Sequence, residues 1–139
     1  MTVSRDDYPI SEKRPDLVRA LSGKSLGEIT LDAVVAGNIT MADLAIHGDA
    51  LRQQAEIARA ANRPTLAQNF ERAADLVGVP QDLVMKTYEL LRPGRSSSKD
   101  DLLAMAETLR RDYGADRIAA FMEEAALVYE KRGLFKTRY

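Results

Sequence analysis

The chain has 139 residues with 20 basic and 21 acidic side chains, a net charge of -1, so nothing in its overall charge steers it toward nucleic acid or an anionic membrane. It has no cysteine, which excludes a disulfide framework, a thiolate metal site, an iron–sulfur cluster and a cysteine nucleophile. With 45% hydrophobic residues but only 6% aromatic and no Trp, alanine and leucine must do the packing, which suits helix on helix.

Residues 1–24 carry Pro9, Pro15 and Gly23 among charges. They are expected as an irregular N-terminal arm, with at most a turn of helix around Asp16–Leu21. The polar start MTVSRDDYPISEKRPDL has no apolar core of a secretory signal, and no apolar run reaches membrane-spanning length. From Ser25 the punctuation becomes regular. Ser25 with Glu28, and more weakly Thr40 with Asp43, have capping-box spacing. Between them Thr30–Ala36 predicts a short helix stopped by Gly37, and such short pieces need something larger to lie against.

The body reads as about five helices. In Asp49–Arg63, Leu51, Ala55, Ala58 and Ala61 recur near helical spacing. Pro64 suits a first helical position, where its missing N–H costs nothing. Leu66, Ala67, Phe70, Ala73, Ala74 and Val77 make an apolar stripe ended by Gly78. Pro80 opens the next helix, with Val84, Thr87, Tyr88 and Leu91 on one side. Pro93 ends it, and Ser98 with Asp101 three residues later predicts a new cap. Leu102, Leu103, Ala106, Leu109 and Tyr113 then recur up to Gly114. The last helix, Asp116–Arg132, carries Ile118, Met122, Ala125, Ala126 and Tyr129, with Gly133 as its stop. Nothing alternates with period two. The expected fold is all-α, with an arm over 1–24, a compact helical domain over 25–133 and a flexible tail over 134–139.

The catalytic inventory is empty. His47 is the only histidine and reads as a helix-entry or surface residue. Glu123 and Glu124 are adjacent on a helix and point about 100° apart, so they do not form an acid/base pair. Asp100 and Asp101 sit where a helix N-terminus favours negative charge. The glycines are dispersed, with no phosphate-binding pattern, and Met105 and Met122 read as core. The stretch LAQNFERAADLVGVPQDLVMKTYELL has the outline of a helix-turn-helix with Gln81–Leu91 as recognition helix. Its charges argue against DNA: Arg72, Lys86, Arg92 and Arg95 are matched by Glu71, Asp75, Asp82 and Glu89, where phosphate neutralisation would need an excess of cations.

Beside these features stand QAEIARAANRPTLAQNFERAADLVGVPQDLVMKTYELLRPGRSS, LLAMAETL and AAFMEEAALVYEKRG. Their most specific pieces are Asn69-Phe70-Glu71-Arg72-Ala73-Ala74, Val79-Pro80 with Asp82, and Leu91-Arg92-Pro93 with Arg95-Ser96-Ser97. In this order the chain resembles the small subunit of adenosylcobalamin-dependent diol and glycerol dehydratases, from KSLGEITLDAV to about Arg132. DYPISEKRPDLV is similar to the family's lead-in. The resemblance implies a heterohexamer with two copies each of large, medium and small subunits. Such enzymes, carbon–oxygen lyases, convert 1,2-propanediol to propanal or glycerol to 3-hydroxypropanal by adenosyl-radical chemistry. It further implies a catalytic centre in the large subunit, adenosylcobalamin held between the large and medium subunits, and a small subunit that supports assembly. This chain is then expected to contribute no catalytic, cofactor-binding or metal-binding residue, and to bind neither nucleic acid nor membrane.

Two positions depart from the family pattern. Gly94 stands where a larger, often aromatic residue is usual, and Ala45 precedes Ile46 where a basic residue is common. The chain also starts without the longer amphipathic extension that directs some relatives into a bacterial microcompartment, so a cytoplasmic enzyme is expected. Two arginines around a Pro-Gly turn suit an interface, because guanidinium groups pair bidentately with carboxylates and stack on rings. Arg92 and Arg95 are therefore expected to contact the large subunit; capping of the preceding helix or plain solvation is the competing reading. A free-standing DNA-binding module is the alternative function.

Overall fold

The computed structural model describes residues 2–135, so the last four positions of the expected tail lie outside the described residues. The described residues contain no strand, only one isolated bridge between Arg19 and Ser25, and the fold is all-α. The helices are α1 (Ile10–Lys13), α2 (Leu31–Val35), α3 (Gly48–Ala60), α4 (Pro64–Leu76), α5 (Gln81–Leu91), α6 (Lys99–Tyr113) and α7 (Asp116–Arg132), with short 3-10 turns between the early ones. The contacts group into two compact units that divide between Val77 and Gly78, a point inside the stretch 25–133.

In the first unit α3 packs against α4. Ala55, Ala58 and Ala67 are buried together with Phe70 beside them, and alanine at these positions lets the two helix surfaces approach closely. Asn62 turns the chain with φ 59, and Pro64 opens α4 as expected. Arg59 of α3 donates to Glu71 of α4 at 2.7 Å. The α4 stripe is narrower than its pattern implies: Ala67 and Ala74 are buried, whereas Leu66 and Val77 are exposed.

The opposite side of α3 is covered by the N-terminal arm. Val3, Ile10 and Ile57 form a buried cluster with Leu17 and Val18 against it, and the Val3 N–H donates to Glu56 at 3.1 Å. The arm is also more ordered than a single turn near Asp16–Leu21. Ser4 and Asp7 form a capping box, α1 covers Ile10–Lys13, and a further turn covers Pro15–Leu17. Its helicity lies where Ile10 can reach the α3 surface.

In the second unit α6 and α7 form an antiparallel hairpin about Gly114, whose φ of 61 ends α6. Leu102, Leu109 and Met122 are fully buried, with Met105, Ala106, Ile118, Ala119 and Ala126 completing the core. Ser98 caps α6 by accepting the Asp101 N–H at 3.2 Å. Arg110 grips Glu123 bidentately, at 2.6 and 3.1 Å. On α5, Thr87 is buried and donates back to the Leu83 carbonyl at 2.8 Å. Tyr88, grouped with Thr87 on one side by its spacing, faces solvent, because helical rotation carries it off the face that Thr87 buries.

Candidate functional site

Arg92 and Arg95 flank a turn whose geometry follows from Pro93-Gly94. The Arg95 N–H closes the turn on the Arg92 carbonyl at 3.0 Å. Proline supplies its fixed φ at the second position, and Gly94 takes φ 80 at the third, a conformation side-chain-bearing residues rarely adopt. A residue with a side chain at position 94 would be strained in this turn.

The helix before the turn is closed by a residue from elsewhere. The Tyr129 hydroxyl of α7 donates to the Leu91 carbonyl. The Arg92 guanidinium donates to Glu89 at 2.9 Å and lies over the Tyr88 ring, 5.9 Å from its centroid. The Glu89 hydrogen bond and charge raise its pKa against the opposing effect of burial, with Tyr88 adding to the rise. Arg92 is thus held in one direction by its own helix, and Arg95 extends into solvent beyond it. With Met85 and Tyr88 also exposed, the outer side of α5 ends in a mixed aromatic, sulfur and guanidinium surface. This is the composition that interfaces favour.

The other residues singled out in the sequence fall into structural roles. His47 is the N-cap of α3, its Nδ1 accepting the Asp49 N–H at 3.1 Å. Glu123 is held below the usual carboxylate range by hydrogen bonds from Arg110, while Glu124 is exposed. Asp100 and Asp101 occupy the first turn of α6. Met105 and Met122 are buried. Among the described residues no group of three or more His, Asp or Glu side chains could hold a metal ion, and no helix is long and apolar enough to cross a membrane.

A second surface was not read as a site from sequence. From Leu21 to Ala42 no residue is buried, although aliphatic side chains recur throughout. The helix α2 has no buried residue, with Leu31 77% and Val35 80% exposed, and Met41 beyond it is 81% exposed. The stretch is nevertheless anchored. The Asp43 carboxylate, only 4% exposed, accepts from the Ser22 hydroxyl, from the Thr40 N–H at 2.9 Å and from Lys24 at 3.2 Å. The Ser22 hydroxyl first, then the Thr40 N–H, then Lys24 lower its pKa to about 2 against the upward push of burial. Below the stretch an open groove of ≈ 750 Å³ runs between the N-terminal arm and α3, with Ile10, Val18, Ile29 and Ile46 in its walls. The signal that could have found this surface was the apolar character of a region lacking any helix long enough to bury it.

Both features lie on exposed surface, one at the Arg92–Arg95 turn and one between Leu21 and Ala42. The family model for the dehydratase small subunit matches residues 3–136. The chain is 44% identical over 135 residues to the propanediol dehydratase small subunit of Citrobacter freundii, covering 97% of this chain and 78% of that one. It is also 44% identical over 130 residues to the propanediol dehydratase small subunit of Salmonella typhimurium, covering 94% and 75%. The helix-turn-helix reading of Gln81–Leu91 receives no support from them. A small subunit implies companion dehydratase subunits as partners. The chain belongs to the dehydratase small-subunit family.

Proposed function

We propose that this chain is the non-catalytic small subunit of an adenosylcobalamin-dependent dehydratase that converts 1,2-diols, propanediol or glycerol, to aldehydes. Two copies assemble with two large and two medium subunits. The observation that carries the proposal is the 44% identity to a propanediol dehydratase small subunit across 97% of this chain.

Its role is mechanical. A radical reaction needs a closed, firmly positioned site in the chain that holds the cofactor. A helical subunit fixed to the outside of that chain restrains its motions without touching substrate. The cofactor belongs to the companion subunits in this proposal. We place the assembly in the cytoplasm, whose reducing conditions suit a chain without cysteine.

The outward turn at Arg92 and Arg95 is proposed as one contact with the large subunit. Glu89 and Tyr88 pre-orient Arg92, which reduces the conformational entropy lost on docking.

The test is reconstitution. The large and medium subunits, expressed with and without this chain, are assayed for aldehyde formation from propanediol and glycerol with added adenosylcobalamin. The proposal expects stable, lasting activity only with this chain present, and weakened assembly for the R92A/R95A pair. Equal activity and recovery without this chain would contradict the assignment, and unchanged assembly of the pair would remove the arginines from the interface.

A further inference from the structure

We infer that the last turn of α7 is the positioning element of the Arg92–Arg95 turn, with Tyr129 holding the end of α5 and Glu130 the start of α6. The inference deepens the arginine reading above and rests on it only for its consequence in assembly. The need for such an element follows from how little holds α5. Its one buried residue is Thr87, and it touches α6 only lightly, whereas α6 and α7 pack closely. Most helical stability in proteins comes from packing an apolar face, so α5 has few contacts of its own to fix where it ends.

The chemistry of the helix end supplies the first hold. The last four carbonyls of a helix have no partner within it. Pro93 keeps Arg92 extended, at φ -70 and ψ 122, so α5 stops at Leu91. The Leu91 carbonyl then accepts from the Tyr129 hydroxyl, 38 residues further along the chain. The second hold lies across the linker, where Lys99, the first residue of α6, donates to Glu130 at 2.8 Å. Adjacent helix positions point about 100° apart, so Tyr129 and Glu130 reach different neighbours, one at each end of the linker. Between these holds Pro93, Gly94 and Arg95 are exposed. The linker turns back into the protein at Ser96, which is 6% exposed and donates to the Ser98 carbonyl at 3.0 Å. A turn pinned at both ends leaves its arginines a narrow range of directions.

The clamp is itself fixed. Gly133 stops α7 with φ 65. Its N–H donates to the Glu130 carbonyl at 3.1 Å, and the Leu134 N–H donates to the Tyr129 carbonyl at 2.9 Å, the paired bonds of a glycine-closed helix end. Both clamp residues therefore have their backbones held by the helix stop. Phe135 then meets the Tyr129 ring edge-on, with centroids 6.2 Å apart. The two holds differ in strength. Lys99 and Glu130 have side chains 32% and 57% exposed, and salt screens such a pair. The Tyr129 bond is partly withdrawn from water, so it is the main hold and Glu130 the lesser one.

The experiment measures backbone amide exchange by NMR in the full-length chain. The Arg92 N–H donates to the Glu89 carbonyl at 3.2 Å and the Arg95 N–H to the Arg92 carbonyl at 3.0 Å, so both report opening of the turn. Tyr129→Phe keeps the ring that meets Phe135 and removes only the hydroxyl. It should speed exchange at Arg92 and Arg95 roughly fivefold, the factor that one net hydrogen bond makes in an equilibrium, with the Leu109 and Met122 amides unchanged. Lys99→Glu and Glu130→Lys should each give roughly twofold, and the two together should restore the parent rate. Unchanged exchange at the turn in Tyr129→Phe overturns the inference. Equal acceleration at Leu109 and Met122 also overturns it, since Tyr129 would then support the α6–α7 core rather than the turn. If Tyr129→Phe does not fold, the charge reversals at partly exposed positions decide: no rescue by the double reversal overturns the clamp. Co-expressed with a tagged large subunit, Tyr129→Phe should lower recovery in the same direction as R92A/R95A. If that pair assembles like the parent, the arginine contact fails while the exchange rates still decide the clamp.

Discussion

Residues 21–42 and the α6–α7 pair both carry aliphatic side chains at regular intervals, but they use them in opposite ways. In the pair, Leu102, Leu109 and Met122 are removed from solvent completely, because two helices of 15 and 17 residues are long enough to lay matching faces together. In the earlier stretch, a helix of five residues between 3-10 turns leaves Leu31, Val35 and Met41 almost fully exposed. Apolar pattern alone therefore does not say whether a residue belongs to the core of its own chain. Element length and the presence of a facing element decide it.

Substitutions can break this comparison at either end. Met122→Ala should destabilise the isolated chain by about 2–5 kcal/mol, the range for emptying a filled core site, read by denaturant unfolding. A loss below about 1 kcal/mol would show that the α6–α7 core is not as closely packed as its burial indicates. Ser98→Ala removes the α6 cap and should cost about 1 kcal/mol by the same assay. Val35→Ala with Met41→Ala should change the stability of the free chain by less than about 0.5 kcal/mol, as for surface sites. A larger loss would mean that these side chains already have partners within the chain.

Acid sharpens the contrast from another direction. Asp43 has its pKa lowered to about 2 in the folded chain, so folding favours its ionised form. Its contribution is complete above the ordinary aspartate range and is lost as pH falls through about 2. Carbon NMR of the Asp43 carboxyl should titrate with a midpoint near 2, and the Thr40 amide resonance should move with it. A midpoint in the ordinary aspartate range would show that the Ser22, Thr40 and Lys24 contacts do not anchor the base of the stretch. Replacing Asp43 by Asn should abolish the shared transition.

Much of the architecture was legible in local chemistry. Ser98, Gly114 and Gly133 bound α6 and α7 where cap preferences put them, and both early capping boxes form as their spacing suggests. His47 enters α3 as its cap. What the sequence hid depends on distant partners. Ile57 falls outside the stripe of Leu51, Ala55, Ala58 and Ala61, and it is buried only because Val3 and Ile10 return to cover it. Tyr88 shares a pattern with Val84 and Leu91, yet it lies outward under Arg92. The exposure of Leu31, Val35 and Met41 was hidden for the same reason: an aliphatic residue looks identical whether or not another element faces it. Arg92 and Arg95 were visible as an unusual pair, and the structure adds the Glu89 and Tyr88 contacts that orient one of them.

The central claim is that this chain is built to complete another protein. Native mass spectrometry of the tagged chain, co-expressed with the large and medium dehydratase subunits, tests it most directly. The account predicts one dominant species containing two copies of each chain. Recovery of this chain alone, beside a complex of the other two that lacks it, would contradict the account.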